Sequence, residues 1–208
     1  LIIRNGKVEQ AGANLAAPKG AVAYDLKGYH IYPSFIDLHT EYGIAPVKAE
    51  GGSRRDGPQM ETNKKGPYGW NQAIKPETEA IQLFKVDDKT AEVLRNIGFG
   101  AVLTHQNDGI ARGSGVLVST ASKKENEVIL KGLASAHYAF DKGTSTQDYP
   151  GSLMGVIALL KQTYLDAKWY AGLKNPAEYN ISLDAWNKLQ QLPQFMEAKG
   201  ILNALRAD

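Results

Sequence analysis

The sequence predicts an α/β fold in which strands and helices alternate, preceded by a small antiparallel sheet. Between residues 1 and 32, short apolar runs alternate with turn residues, and Asn5-Gly6 is a hairpin signal. From residue 35 to residue 104, a strand, a helix and a second strand follow one another, which is the alternation of a parallel βα unit. Apolar residues between Leu153 and Tyr164 recur every three or four positions, which is typical of a helix. We therefore expect a sheet covered by helices.

The first strand and helix of this unit have recognisable limits. Phe35–His39 is predicted to be a buried strand, because polar residues appear only towards its end. A helix is predicted to begin near Asp87 and to end at Gly98, with apolar residues along one face. Residues 99–104 then predict the next strand. Residues 43–76 are rich in Gly, Pro, Lys, Arg and Asn and predict a long loop, carrying Tyr68, Trp70 and Asn71. We favour an exposed excursion over a substrate lid.

The second half of the chain predicts further elements of both kinds. A glycine-rich turn over residues 108–115 leads into two short apolar runs, 116–118 and 128–130, which predict a hairpin excursion. Ser152 is expected to cap the long helix that follows. Residues 182–192 predict another helix, ended by Pro193.

Composition excludes several classes of protein. The 208 residues include 24 Lys and Arg against 22 Asp and Glu, so the net charge of +2 indicates no nucleic-acid partner. The longest strongly apolar stretch, residues 149–160, is too short to cross a membrane. The chain contains no cysteine, so a metal site would have to use histidine and carboxylate ligands.

His39 is the histidine with the strongest local context. Side chains alternate along a strand, so His39 and Glu41 are expected on one face, where both can reach one metal ion. Taken alone, this pair is weak evidence, and a structural histidine beside a solvated glutamate is the default interpretation.

The residues around His39 sharpen this interpretation. Residues 28–41 resemble the first barrel strand of the amidohydrolase superfamily, which carries the pattern G-x-x-x-x-P-G-F-I-D-x-H-x-H. The matching residues are Gly28, Pro33, Phe35, Ile36, Asp37 and His39. Residues 1–9 and 23–28 are similar to β-sandwich strands of imidazolonepropionase-like and dihydroorotase-like members. The second barrel strand with its preceding helix is similar to residues 94–104. A third strand is similar to residues 192–198, and the helix after it to residues 201–206. Two positions depart from the pattern: Ser34 replaces a glycine, and Glu41 replaces the second histidine.

The resemblance implies a fold, a reaction and a set of site residues. The fold is a partial TIM-type (β/α) barrel over residues 35–208, preceded by part of a small β-sandwich over residues 1–34. The reaction is metal-assisted hydrolysis of a C–N bond in a small-molecule substrate, which is an amide, a cyclic amide or a related small molecule. A divalent metal, zinc by preference, would lower the pKa of bound water and polarise the scissile carbonyl. His39 and Glu41 are the implied ligands, and Asp37 would support the end of the strand. The alternative is a catalytically silent scaffold that keeps the barrel for binding.

Three further residues are weaker candidates for the same site. His105 follows the second predicted barrel strand and is expected at the rim, with a hydrogen-bonding role towards substrate. Arg112 lies between glycines and is a candidate for an anionic substrate group. Glu197 ends the third predicted strand and is a minor candidate, whereas His30 and His137 are expected to be structural.

Only three barrel strands can be counted before the chain ends, and three parallel strands expose a hydrophobic edge. We therefore expect the chain to be a portion of a longer barrel or to pair with another copy.

Overall fold

The computed structural model describes residues 1–48, 62, 71–174, 176, 178–200 and 203–205. The chain divides into two compact units, Leu1–Pro33 and Ser34–Asp208. Within the described residues, no helix is long and apolar enough to cross a membrane.

The first unit contains one hairpin. Strand β1 (Ile2–Arg4) pairs antiparallel with β2 (Lys7–Gln10), and the turn residues Asn5 and Gly6 both have positive φ, as a tight hairpin turn requires. The turn prediction is confirmed. Residues 11–33, all of which the structure describes, form turns at Gly20 and Gly28 but no strand, so the sheet is smaller than expected. Their backbone hydrogen bonds are those of turns, for example from the Ala21 N–H to the Pro18 carbonyl and from the Tyr29 N–H to the Leu26 carbonyl.

The second unit is built on a curled five-stranded sheet that forms half of a barrel. Its strands lie side by side in chain order: β3 (Phe35–Thr40), β4 (Phe99–Thr104), β5 (Ala111–Ser119), β6 (Ile129–Ala139) and β7 (Gln194–Glu197). The β3–β4 and β6–β7 pairs are parallel, whereas β5 runs antiparallel to both of its neighbours. The sheet is therefore mixed and not purely parallel. The predicted hairpin excursion is corrected too, because β5 and β6 extend well beyond the two apolar runs and lie inside this sheet.

Strand β3 is correctly placed but not buried. Among the described residues it forms the edge of the sheet and pairs with β4 alone. Phe35, Ile36 and Leu38 are exposed. The apolar run predicted burial because a central parallel strand has this composition, but burial on both faces requires other elements packed over both faces of the strand.

The helices largely follow the sequence signals. Helix α2 (Asp88–Asn96) is capped by the Asp87 side chain, which accepts hydrogen bonds from the backbone of Lys89 and Thr90. Helix α4 (Leu153–Ala171) is capped by Ser152, whose hydroxyl accepts from the Gly155 N–H. Helix α5 (Ile181–Leu189) begins after its own cap, Asn180. The short helices α1 (Ala80–Leu83) and α3 (Glu125–Val128) were not predicted. Residues 203–205 are helical, and the rest of the predicted last helix lies outside the described residues.

Two apolar clusters hold the helices on the sheet. One joins α4 and α5 to β5 and β6, through residues that include Val156, Leu159 and Trp186. The other joins α1 and α2 to β4 and β5, through residues that include Ala91, Val102 and Val116. Together they pack the helices against the sheet.

The long predicted loop is only partly described. Tyr68 and Trp70 lie outside the described residues. Asn71 is buried: its amide donates to the Tyr149 carbonyl and its oxygen accepts the Ala73 N–H. Ala73 and Ile74 belong to the core, so this end of the loop is not an exposed excursion.

Candidate metal and substrate site

Polar side chains from all five strands of the sheet meet at one of its ends. Strands β3, β4, β6 and β7 run in the same direction, so their carboxyl ends share one edge with the amino end of β5. This edge carries one side chain from or beside each strand: His39, His105, Arg112, His137 and Glu197. They line a cavity of about 250 Å³ together with Tyr138, Phe195 and Met196. The carboxyl ends of parallel strands are where barrel enzymes place their chemistry.

Backbone contacts hold His39 and His105 next to each other. The carboxylate of Asp37 accepts a hydrogen bond from the His39 N–H at 3.0 Å, which supports the carboxyl end of β3. The His105 N–H donates to the Thr40 carbonyl at 3.2 Å and continues the β3–β4 ladder by one residue. The two imidazole rings lie 4.7 Å apart between centroids.

His137 brings a third imidazole to the same place from β6. Its ring stacks on that of His105, with centroids 3.7 Å apart and planes 6° from parallel. Phe195 stacks on the other side of the His137 ring at 5.1 Å. His137 is therefore held between two flat neighbours, and its ring plane is fixed.

Burial keeps two of the three imidazoles neutral. His105 is fully buried and His137 is 2% exposed, whereas His39 is exposed. Burial first, and then repulsion from His137, His39 and Arg112, lowers the pKa of His105 to about 2. Burial, with the charges of His39 and Arg112, lowers the pKa of His137 to about 3. Neutral rings can offer a nitrogen lone pair at any physiological pH.

The buried ring of His105 lacks hydrogen-bond partners among the described residues. Among the described residues, neither of its ring nitrogens has a hydrogen-bond partner, although both are buried. A buried polar atom without a partner costs about 1–3 kcal/mol. Tyr42, Ser114 and Trp186 each have one such atom, but among the described residues only His105 has two.

The donor set fits a divalent metal ion. One nitrogen from each of His39, His105 and His137 lies within 4.8 Å of the other two. Tetrahedral zinc with Zn–N bonds of about 2.0–2.1 Å needs its nitrogen ligands about 3.3 Å apart. An imidazole binds zinc in the plane of its ring, so His105 would have to tilt out of its parallel stack on His137 to share the ion. Three protein ligands also leave the fourth position open, which is the arrangement of catalytic zinc rather than structural zinc.

Arg112 and Glu197 form a charged pair on the cavity wall. The Arg112 guanidinium contacts the Glu197 carboxylate at 2.7 Å and donates through Nε to the Gly109 carbonyl at 3.0 Å. The Arg112 side chain is 5% exposed, so this positive charge is well shielded from water.

The structure brings together some of the sequence-predicted site residues. His39, His105 and Arg112 line one cavity, with Asp37 supporting the His39 backbone. Glu41 lies just past the end of β3, where its carboxylate accepts a hydrogen bond from the Asn107 amide. It lines a separate cleft of about 790 Å³ beside α1 and α2. Its role as a metal ligand stays a prediction.

Sequence reasoning missed His137 as a site residue. No partner stands near it in sequence, and its neighbours in space come from β4 and β7. The sequence contained one indication: His105, His137 and Glu197 each lie at or near the carboxyl end of strands that run in the same direction. This indication could be recognised only from the strand order, and the predicted hairpin excursion had placed His137 outside the main sheet.

Comparisons with known proteins support the fold. No protein-family profile matches the chain, and no curated protein matches it. The solved structure of an amidohydrolase from Thermotoga maritima MSB8 is similar, with a TM-score of 0.72 and 21% sequence identity. The match covers 99% of this chain and 55% of that chain, so this chain spans about half the length of the other. The chain thus has an amidohydrolase-like fold.

Proposed function

We propose that this chain carries part of the active site of a metal-dependent hydrolase that cleaves a C–N bond in a small amide or cyclic amide. The observation that carries the proposal is the buried His105 ring, whose two nitrogens lack partners beside two further imidazoles. The amidohydrolase-like fold supports the same reaction class.

His39, His105 and His137 would hold the metal, zinc by preference. When bound, such an ion supplies Lewis acidity towards water and towards a scissile carbonyl. Glu41 would join the ligands only by leaving Asn107.

The other residues of the cavity act on the substrate. Arg112 places a shielded positive charge at the wall, where it can bind a substrate oxygen or anionic group. Glu197 holds that guanidinium in place. Phe195 and Met196 give the cavity an apolar side that excludes water around a small ring.

The test is metal binding by the full chain. After removal of metal with a chelator, zinc titration by calorimetry should give about one equivalent per chain. His39→Ala, which changes an exposed side chain, should lower the zinc affinity by about 100-fold, because two ligands remain. His105→Ala and His137→Ala should do the same. His30→Ala is the matched control, because His30 is exposed and lies in the other unit.

Hydrolysis of a panel of small amides and cyclic amides should depend on the added zinc. Wild-type protein that binds no more zinc than the triple histidine variant would refute the metal site. Zinc binding without hydrolysis of any amide would favour the silent scaffold.

A further inference from the structure

The two ring nitrogens of His137 have different surroundings. Nε2 lies 2.8 Å from the Ser135 hydroxyl, and both residues are buried. Nδ1 has no hydrogen-bond partner within the part of the chain that the structure describes. The ring therefore has one engaged nitrogen and one available nitrogen.

Gly115 closes the space around the engaged nitrogen. It lies on β5 opposite Ser135, and a Cβ atom there would stand 2.4 Å from the Ser135 hydroxyl and 2.7 Å from Nε2 of His137. Real Cβ atoms essentially never approach so closely. The β5 backbone and the Ser135 hydroxyl are thus packed against this edge of the ring, which disfavours a metal ion at Nε2.

Stacking alone does not determine which ring nitrogen of His137 is available to a metal. The rings of His105 and Phe195 fix the plane of the His137 ring, but a half-turn about the Cβ–Cγ bond keeps that plane and exchanges nitrogen for carbon positions. The Ser135 hydrogen bond distinguishes the two orientations, because only one of them puts a nitrogen next to the hydroxyl.

We propose that Ser135 is a positioning residue that engages Nε2 of His137 and so reserves Nδ1 for the metal. This inference rests on the proposed function. A hydroxyl can donate to or accept from a ring nitrogen, so Ser135 serves both the free site and the loaded site. In the loaded site, the Nε2–H of His137 donates to the Ser135 hydroxyl. In other proteins, a carboxylate or a backbone carbonyl usually accepts this hydrogen bond from a ligand histidine.

The first experiment identifies the coordinating nitrogen. Full chain labelled with ¹⁵N-histidine is studied by long-range ¹H–¹⁵N NMR before and after addition of zinc. We expect His137 to show a coordinated Nδ1 and a protonated Nε2. Coordination through Nε2 would overturn the inference and leave the metal site intact.

The second experiment removes only the hydroxyl. Ser135→Ala should weaken zinc binding by about 10- to 100-fold, the effect expected on losing the partner of a ligand histidine. Ser135→Thr keeps a hydroxyl and should restore most of the affinity. The matched control is Ser114→Ala, because Ser114 is equally buried on the adjacent strand and its hydroxyl has no partner among the described residues.

The outcomes separate the two proposals. Unchanged zinc affinity in Ser135→Ala, with zinc bound by the wild type, refutes the positioning role alone. A wild type that binds no zinc refutes both. If Ser135→Ala fails to fold, the nitrogen assignment in the wild type and the affinity of Ser135→Thr decide.

Discussion

Two buried polar side chains, His105 and Asp108, follow β4, and they differ in their hydrogen-bond partners. Asp108 is 2% exposed, and its carboxylate accepts from the Thr144 backbone at 2.6 Å, from the Thr144 hydroxyl at 3.0 Å and from the Lys75 ammonium. Burial acts to raise the pKa of Asp108, but these hydrogen bonds outweigh it and hold the pKa below its usual value. His105, three residues earlier, has no such partner.

The difference separates a structural polar group from a candidate ligand. Asp108 is charged, paired and saturated, and it ties the segment around residue 144 to the segment around residue 75. His105 is neutral and unsaturated, and it stands beside two other imidazoles. Burial alone does not distinguish such groups, whereas the partners of each polar atom do.

The neutral, buried histidines predict the largest effect, which is a fall in the free energy of unfolding in mild acid. In the metal-free folded state, the pKa values of His105 and His137 are about 2 and 3, and in the unfolded chain both are near 6.5. Below pH 6.5 the unfolded chain therefore binds more protons, and the free energy of unfolding falls with pH. We expect a loss of about 2 kcal/mol per histidine between pH 7 and pH 5.

Urea denaturation at the two pH values measures this effect. His137→Gln should remove about half of the pH dependence, whereas His30→Ala should leave it unchanged. A free energy of unfolding that is flat between pH 7 and pH 5 would mean that the two rings are not kept neutral by burial.

For the aspartate, Asp108→Ala should lower the free energy of unfolding by about 3 kcal/mol, because it leaves the partly buried Lys75 ammonium and the Thr144 N–H without their carboxylate partner. Urea denaturation at pH 7 checks this. The matched control is Asp148→Ala, which removes an exposed carboxylate and should change stability by less than about 0.5 kcal/mol. Equal effects of the two substitutions would contradict the structural role of Asp108.

The space around the histidines predicts a smaller effect. Gly115→Ala should cost about 2 kcal/mol, because the new methyl group meets the Ser135 hydroxyl and His137. Thermal or urea unfolding measures the cost. At Gly12 a Cβ would make only an ordinary contact at 3.7 Å, so Gly12→Ala should be close to neutral. A neutral Gly115→Ala would show that the His137 edge is not tightly packed.

The smallest expected effect concerns Glu41. With three imidazoles available, Glu41→Gln should change zinc affinity by no more than about twofold, because the carboxylate contacts Asn107 and lines the other cleft. Zinc titration of both proteins decides between the two ligand sets. A loss of tenfold or more would make Glu41 a ligand.

The same contrast explains how much of the site was predictable. His39 was found because a local pattern surrounds it, and His105 and Arg112 were found because they adjoin a predicted strand or turn. His137 was not found, since its importance comes from stacking on a residue 32 positions away in the chain, across an intervening strand. The contrast between saturated Asp108 and unsaturated His105 has no sequence signal, because their partners come from distant segments.

The sequence by itself determined the local elements: the Asn5-Gly6 turn, the caps at Asp87 and Ser152, and the strands that begin at Phe35 and Phe99. These depend on interactions within a few residues. Only the tertiary structure decided that β5 and β6 enter the main sheet, that β3 is an exposed edge, and that His137 lies against His105. Each of these depends on which strands become neighbours, and that choice is made by packing between segments far apart in the chain.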